Sequence, residues 1–411
     1  MADPTIRMMN IAVLLKLQTA EGMPAVPDPA VDAIPVEADS TSYNNPWTME
    51  ASNEATGSLV GGAALIVGQA ATFSFKSRIK GAGAGVAYSP TVKPPLHAAF
   101  QMAGWRGQFS AAIAAAVATS GTATTITLPA GFPATARALL GYQLLIGAGT
   151  GAGNAPAVIE YTAGRVATLS ETFNPPLDAT TSVSLPASWS YAGTTPQDAA
   201  ARTADNPCAT IYFYEDGVLR KFVDCRATLA LDGRSARPGY GTWSCTGVYA
   251  GKVDAPIPDT IAIPGHAPPV LVQGAALSPA VSVNRKPFNI ATWSLDAGSS
   301  LEVPDDPNTP YGFAGGQITE RVPMLKVDPL ATLVANRDTV ADIGNGVTMP
   351  AVFRHGAQSG NRWALVVPLA QPVSADPGAR GKLRSEEIGL QARTLGRDAY
   401  ARDTDRVIVF N

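Results

Sequence analysis

Two pairs of adjacent carboxylates, Asp305-Asp306 and Glu386-Glu387, are the residues of this 411-residue chain that could do acid–base work. Glycoside hydrolysis needs two carboxyl groups facing each other across a cleft, one as acid and one as base or nucleophile. Adjacent residues of a strand point to opposite faces, so neither pair offers that geometry, and both read as loop or surface charges. A hydrolase acting on surface polysaccharide is the enzyme reading, and it has nothing else to rest on. The three histidines are scattered, and no H-E-x-x-H, G-x-S-x-G or Cys–His arrangement occurs. His97 lies on a short helix with no carboxylate or second histidine near it in sequence, which marks it as structural or solvated; His266 sits in a proline-rich stretch and reads as exposed.

Cys208, Cys225 and Cys245 are odd in number and lack C-x-x-C spacing. They read as reduced, partly buried thiols of a protein assembled in a reducing cytosol. Cys225 and Cys245 fall on neighbouring expected strands, so a disulfide is geometrically possible but not indicated. Two glycine runs, Gly81–Gly85 and Gly147–Gly153, follow strands. Neither opens an amphipathic helix or carries G-K-S/T, so both are expected to be flexible turns rather than phosphate cradles. No catalytic, cofactor-binding or metal-ligating residue is therefore assigned.

Charged residues make up 15% of the chain, and the formal net charge is −3. No basic stripe grips nucleic acid. The apolar runs Ile11–Leu15 and Ala111–Ala118 are too short for a signal segment or a membrane span. With 39 glycines and 34 prolines, the composition suits short strands joined by many turns, and the length suits two or three domains.

The strongest pattern is Ala209–Tyr249, where apolar and polar residues alternate in four runs; Glu215-Asp216-Gly217 breaks the first pair, and Asp232-Gly233 opens a longer tip before Tyr240-Gly241. Period-2 alternation broken by Asp-Gly predicts antiparallel hairpins. Four strands are expected, with Ile211, Phe213, Leu219, Val223, Leu229, Leu231, Trp243 and Tyr249 buried. Upstream, residues 1–45 read as an arm with an edge strand at Met8–Leu17, either clasping a neighbour or lying as a surface loop. Strands are expected at Trp47–Ala51 and at Ala71–Lys80, whose Phe73, Phe75, Ser77 and Ile79 share a face. Lys93–Gly104 reads as a short helix.

Residues 107–190 differ from their surroundings. Only Arg137, Glu160, Arg165, Glu171 and Asp178 are charged there, and short strands are expected at Thr124–Leu128, Gln143–Ile146, Ala157–Tyr161, Arg165–Leu169 and Ser182–Leu185. This is an inserted small all-β module. A proline-rich linker covers 256–279. The earlier order then recurs over 280–411. Strands are expected around Thr292–Leu295 and at Gly316–Val327. A helix is capped by Asp328 with Pro329 at its first position, and carries Leu330, Leu333, Val334 and Val340 on one face. A strand follows at Arg362–Pro368, then a tip at Pro372–Arg380, a further strand or pair at Gly381–Leu395, and a closing run at Arg406–Phe410. An order of elements that repeats points to duplication of one fold.

Lys16–Gly22 (KLQTAEG), the strand–glycine loop–helix block Ala71–Trp105, and above all TIYFYEDGVLRKFVDCRATLALDGRSARPGYGTWSCTGVY resemble tail tube proteins of long-tailed bacteriophages. The likeness covers residues 10–106 and 205–255, and 280–411 by layout only. The strand-and-glycine pattern of 107–190 looks loosely like small β modules of phage structural proteins.

The resemblance implies a mainly β chain with two tail-tube-type β-sandwich domains, each flanked by a short helix. The first is discontinuous, at 1–106 and 191–255; the second is 280–411. Tail tube proteins stack as rings whose inner sheets join into one closed barrel. With two domains per chain, three copies would make a pseudo-sixfold ring, stacked head to tail. The implied role is a non-enzymatic virion structural protein, assembled in the host cytoplasm, with no cofactor and no membrane. Its implied partners are further copies of itself, a tape measure protein, tail terminator and baseplate proteins, and DNA that passes unbound during ejection. An outward-facing position is expected for the 107–190 module. Thr210, Thr228, Thr242, Ser244 and Thr246 are the candidate lumen-facing residues; the alternative is that they simply face outer solvent. The second functional reading is another virion component, such as a capsid decoration or outer tail protein.

Overall fold

Alternating runs need partners for their backbone N–H and C=O groups, and here they find them mostly across large antiparallel sheets. The computed structural model describes residues 5–55, 57–263 and 277–411. The chain is mainly β, 46% strand and 5% helix.

In chain order the first part holds β1 (Ile11–Leu17), β2 (Ala33–Ile34), β3 (Ser42–Tyr43), β4 (Trp47–Glu50), β5 (Leu65–Gly68), β6 (Ala71–Arg78), α1 (His97–Met102) and β7 (Trp105–Ser110). The module follows with β8 (Ile113–Val117), β9 (Ser120–Gly121), β10 (Thr125–Thr127), β11 (Leu145–Ala148), β12 (Val158–Tyr161), β13 (Val166–Leu169) and β14 (Ser182–Leu185). Then come β15 (Ser188–Gly193), α2 (Arg202–Asp205), β16 (Ala209–Glu215), β17 (Val218–Arg234) and β18 (Tyr240–Asp254). The last part holds β19 (Val281–Val283), β20 (Lys286–Pro287), β21 (Ile290–Asp296), β22 (Ser299–Glu302), β23 (Gln317–Arg321), β24 (Met324–Pro329), α3 (Thr339–Gly344), β25 (Met349–His355), β26 (Trp363–Arg380), β27 (Leu383–Arg393) and β28 (Val407–Phe410).

The pairings of the first part recur in the last. β1 pairs β2 and β16, as β19 pairs β20 and β25. β3 pairs β6, as β21 pairs β24. The hairpin β4–β5 has its counterpart in β22–β23. β6–β18, β16–β17 and β17–β18 correspond to β24–β27, β25–β26 and β26–β27. Two further ladders tie the parts together. β17 pairs β21 through Ala230↔Asp296 to Arg234↔Thr292, and β15, already paired with β7, pairs β28.

β17 and β26 are long because each serves two ladders on one edge. β17 gives its first residues to β16 and its last to β21, with β18 along the other edge. The changeover comes at Asp224, which has φ 52° and sits at a break in register, a β-bulge. Its carboxylate accepts from Gln18 Nε2 (3.0 Å) and the Gly22 N–H (2.9 Å). The meander at 209–254 therefore has three strands, not four, because the second and third runs are one strand bent at its bulge. Val223 and Tyr249 are only half-buried, and Phe222 takes the core position.

β26 likewise runs straight through Pro372–Arg380, expected to be a tip; the turn is Gly381-Lys382. Proline is tolerated there because the strand's second edge has no partner beyond Ala370 among the described residues. The helix expected at Asp328 is also displaced. Asp328 ends a strand, and its carboxylate accepts from the Ala291 and Thr292 N–H groups, each at 2.8 Å. Asp338 caps α3 instead, accepting from the Ala341 N–H. Gly316–Val327 is two strands split at Val322-Pro323. β1 is interior, between β2 and β16, not an edge strand.

One apolar cluster fills the space between these ladders, from Phe73, Phe75, Leu231 and Trp243 to Phe353, Leu365, Ile388 and Phe410. A second cluster packs the module onto the far side of β25, β26 and β28, through Val352, Ala364, Val366 and Val409. Val158, Ala167 and Val183 of the module lie in it. The arm at 18–35 lies on the chain itself: the Ala25 N–H donates to Thr210 Oγ1 and the Gln18 N–H to the Cys208 carbonyl. His266 and most of the 256–279 linker lie outside the described residues; Ile257, Ile261 and Ile263 at its start pack against Leu14, Tyr214 and Leu219.

Candidate assembly edges and polar sheet face

The strands β6–β18–β17–β21–β24–β27–β26 follow one another by hydrogen bonding, and alternation decides what each face carries. Phe73, Phe75, Trp243, Leu229, Leu231, Leu295, Val327, Ile388 and Leu390 point into the core. The opposite face is polar across both halves. Ser74, Ser244 and Thr228 form one cross-strand row, and Thr72 and Thr246 lie in the next. A further row crosses the β17–β21 ladder, running Arg78, Tyr240, Asp232, Ser294, Lys326, Gly389 and Ser374. A trough of about 520 Å³ runs over this second stretch, lined by Asp232, Lys326, Asp376 and Glu387 among others.

Of the residues singled out from sequence, Thr228, Thr242, Ser244 and Thr246 share this face. Thr210 does not join them. It is fully buried beneath the arm, in the layer that also holds β1. It alternates with the core residues Ala209, Ile211 and Phe213, as Thr228 does with Ala227 and Leu229, so both face away from the core; the bend of β17 at Asp224, which takes it from β16 to β21, separates them.

Charges on the face are mixed and partly paired. Lys76 Nζ lies 3.4 Å from the Asp232 carboxylate, and Arg380 lies 3.3 Å from that of Asp328. Ion pairs this exposed add little stability, but they leave the face without a run of unpaired positive charge. Arg226 is the buried cation on it, 1% exposed, donating to the Asn206 and Gly316 carbonyls and paired with Glu21.

Among the described residues, two backbone edges stay open at the ends of this sheet. β3 pairs β6 on one side only, and β26 from Gln371 to Arg380 pairs β27 on one side only. An open edge is a template for another strand. Sequence reasoning missed both edges. The signals were Pro372 and Pro377 inside an alternating run, residues that a strand keeps only where one side goes unpaired.

The other candidate groups have structural surroundings. Glu386 pairs with Arg337 at 2.9 Å, whereas Glu387 lies on the polar face; Asp306 holds its own loop through Asn308. His97 contacts the Tyr191 hydroxyl through Nδ1 (2.8 Å) and Gln101 through Nε2 (3.1 Å), and burial pulls its pKa down to about 3. The three cysteines are free and buried, and burial pushes the Cys208 thiol up to about 12. Gly81–Gly85 is not a free turn: Gly81 packs on the Gly360 backbone, and Gly83 and Gly85 donate to the Gly360 and Ser359 carbonyls.

Among the described residues no three His, Cys, Asp or Glu side chains gather to hold a metal, and no helix is long and apolar enough to cross a membrane. Compared with known proteins, the chain matches no family model and no curated protein.

Proposed function

We propose that this chain is a virion structural protein, without enzymatic activity, that polymerises as stacked rings into a phage tail tube, the channel for DNA ejection. Its two halves, 1–106 with 191–255 and 280–411, act as two β-sandwich domains of one duplicated fold. The observation that carries this reading is the β17–β21 ladder, where the end of the first half's long strand takes the edge of the second half. The same joint, repeated between copies, uses the two open edges.

Aligning the halves on their pairings sets Ser40–Asn44 against Thr292–Asp296 and Asp376–Arg380 against Ala230–Arg234. Between copies, Asp376 then stands opposite Asn44 and Arg380 opposite Ser40. A heterologous joint that closes by rotation makes a ring, and closure leaves no open strand edge. Three copies supply six such sheets, a pseudo-sixfold wall.

The polar face lines the lumen in this arrangement, bearing Thr228, Thr242, Ser244 and Thr246. A polyanion held by few unpaired cations slides. The 107–190 module faces outward, because it packs on the side of β25, β26 and β28 away from the shared core. A tape measure protein, tail terminator and baseplate proteins are the partners of such a tube, and the virion is its location.

Electron microscopy of the purified protein tests this. Hollow tubes, or threefold rings with six similar lobes, are expected. Single globular particles at every concentration would overturn it.

A further inference from the structure

The two halves carry equivalent hairpins, β4–β5 and β22–β23, but only one is seated. β22–β23 lies against the first half. Arg226 Nη1 donates to the Gly316 carbonyl (2.9 Å), and Gln317 donates to Glu21 (3.1 Å). Ile318 presses on Gly104, the residue that ends the α1 turn with φ 72°; a Cβ there would stand 2.9 Å from Ile318 Cδ1. Gly104 is buried as a result.

Among the described residues β4–β5 is held only at its base, where Trp47 packs edge-on against Tyr311 at 5.1 Å and Gly68 meets the Tyr311 backbone. Further out, Met49 is 67% exposed, Leu65 and Ile66 are 60%, and Val60 is 76%. Isolated exposed apolar residues are ordinary, but a cluster on one hairpin marks a contact surface.

The second half has the matching seat, and it is open. Gly346 follows α3 as Gly104 follows α1, also with positive φ (62°), and it is exposed; a Cβ there would meet only Gln371 Nε2, at 3.7 Å. Gln371 corresponds to Arg226: they pair with Gln391 and Thr246, and each follows a residue paired with the start of β25 or β16. Val340 on the bordering helix is 71% exposed. The chemistry of the pairs differs in kind. The seated hairpin brings Gln317 and Arg321 to a seat with Glu21 and Arg226. The unseated one carries the exposed apolar side chains Met49, Leu65 and Ile66, and its seat at Gly346, Gln371 and Val340 has Arg393 donating to Gln371.

We propose that the β4–β5 hairpin of one copy seats on the α3–β26 surface of the next copy's second half, with Ile66, the counterpart of Ile318, over Gly346 as Ile318 lies over Gly104. This deepens the ring reading and rests on it, naming a second contact beside the strand joint. The difference between the two seats enforces order. A first-half hairpin placed on a first-half seat would leave Arg226 Nη1 without the Gly316 carbonyl and Glu21 without Gln317, at a cost.

Chains carrying Ile66→Cys, mixed with chains carrying Asn345→Cys and oxidised, test the contact; the native cysteines are buried and do not compete. A species of twice the chain mass, formed in the mixture, absent from either variant alone and lost on reduction, is expected. If wild-type rings are seen by microscopy and this species does not form, the hairpin contact is wrong and the ring reading stands. If wild-type chains stay single and the species does not form, both are wrong.

Discussion

The two halves share a pairing scheme and one apolar cluster, but fill it with different residues. At positions matched by pairing, the first half places Phe73, Phe75, Trp243 and Cys245, and the second places Leu325, Val327, Ile388 and Leu390. The first packs by aromatic contact: Phe75 stacks on Trp243 at 5.2 Å, and Phe100 meets Trp243 edge-on at 5.7 Å. The second replaces that volume with aliphatic side chains and draws its rings from elsewhere, with Trp293 against Phe353 at 4.8 Å and His355 stacked on Trp363 at 3.9 Å.

Their outer faces differ too. Tyr214 of β16 is covered by the start of the linker, while the matching stretch of β25 is covered by the module. There, Arg354 reaches Glu171 at 2.8 Å. Period, register and bulge position thus fix this fold, while core volume can be met by different residues.

The comparison breaks most sharply at Trp243. Trp243→Ala removes a buried ring and its N–H bond to the Ala99 carbonyl (3.0 Å), and should cost about 4 kcal/mol; Ile388→Ala, its counterpart, should cost about 3 kcal/mol. Both should shift a single cooperative transition in denaturant, because one apolar cluster spans the halves. Two separated transitions would mean that the halves fold independently.

The module seam comes next. Glu171→Ala leaves Arg354, 1% exposed, without its carboxylate, and a loss of about 3 kcal/mol is expected. Replacing both residues by apolar ones should restore much of it, which a double-mutant cycle measures.

The effect that is smallest near neutral pH concerns His97; the second half has no histidine at the matching place. Its folded pKa, lowered to about 3 by burial, lies below the unfolded value of 6.5. Between these values the unfolded chain binds the extra proton, so this contribution is fully present above pH 6.5 and is lost as pH falls, by about 1.4 kcal/mol per pH unit. Unfolding of His97→Gln, measured from pH 7 to 4, should lack that slope.

Much of the fold is legible in the sequence because alternation is a local property. The strand at Ala71–Arg78, the module's short strands and the helix near His97 follow from periodicity and turn residues alone. Local signals mislead where they have two possible uses. Asp-Pro at 328–329 can open a helix or end a strand. The Asp328 carboxylate closes onto β21, a neighbour set by the fold and not by adjacent sequence. The proline run at 372–377 reads as a loop unless the strand is known to have a free edge. Parity puts Thr210 and Thr228 both on the side away from the core, but the bend of β17 at Asp224 and the arm over Thr210 part them.

The sequence by itself determined that the chain is mainly β and which side chains turn inward on most strands. Only the tertiary structure decided which strands pair, which edges stay open and which hairpin is seated. Alternation specifies the face of a strand within a few residues. Edges and seats depend on hydrogen bonds between segments far apart in sequence, as between Arg234 and Thr292, and no local pattern encodes them.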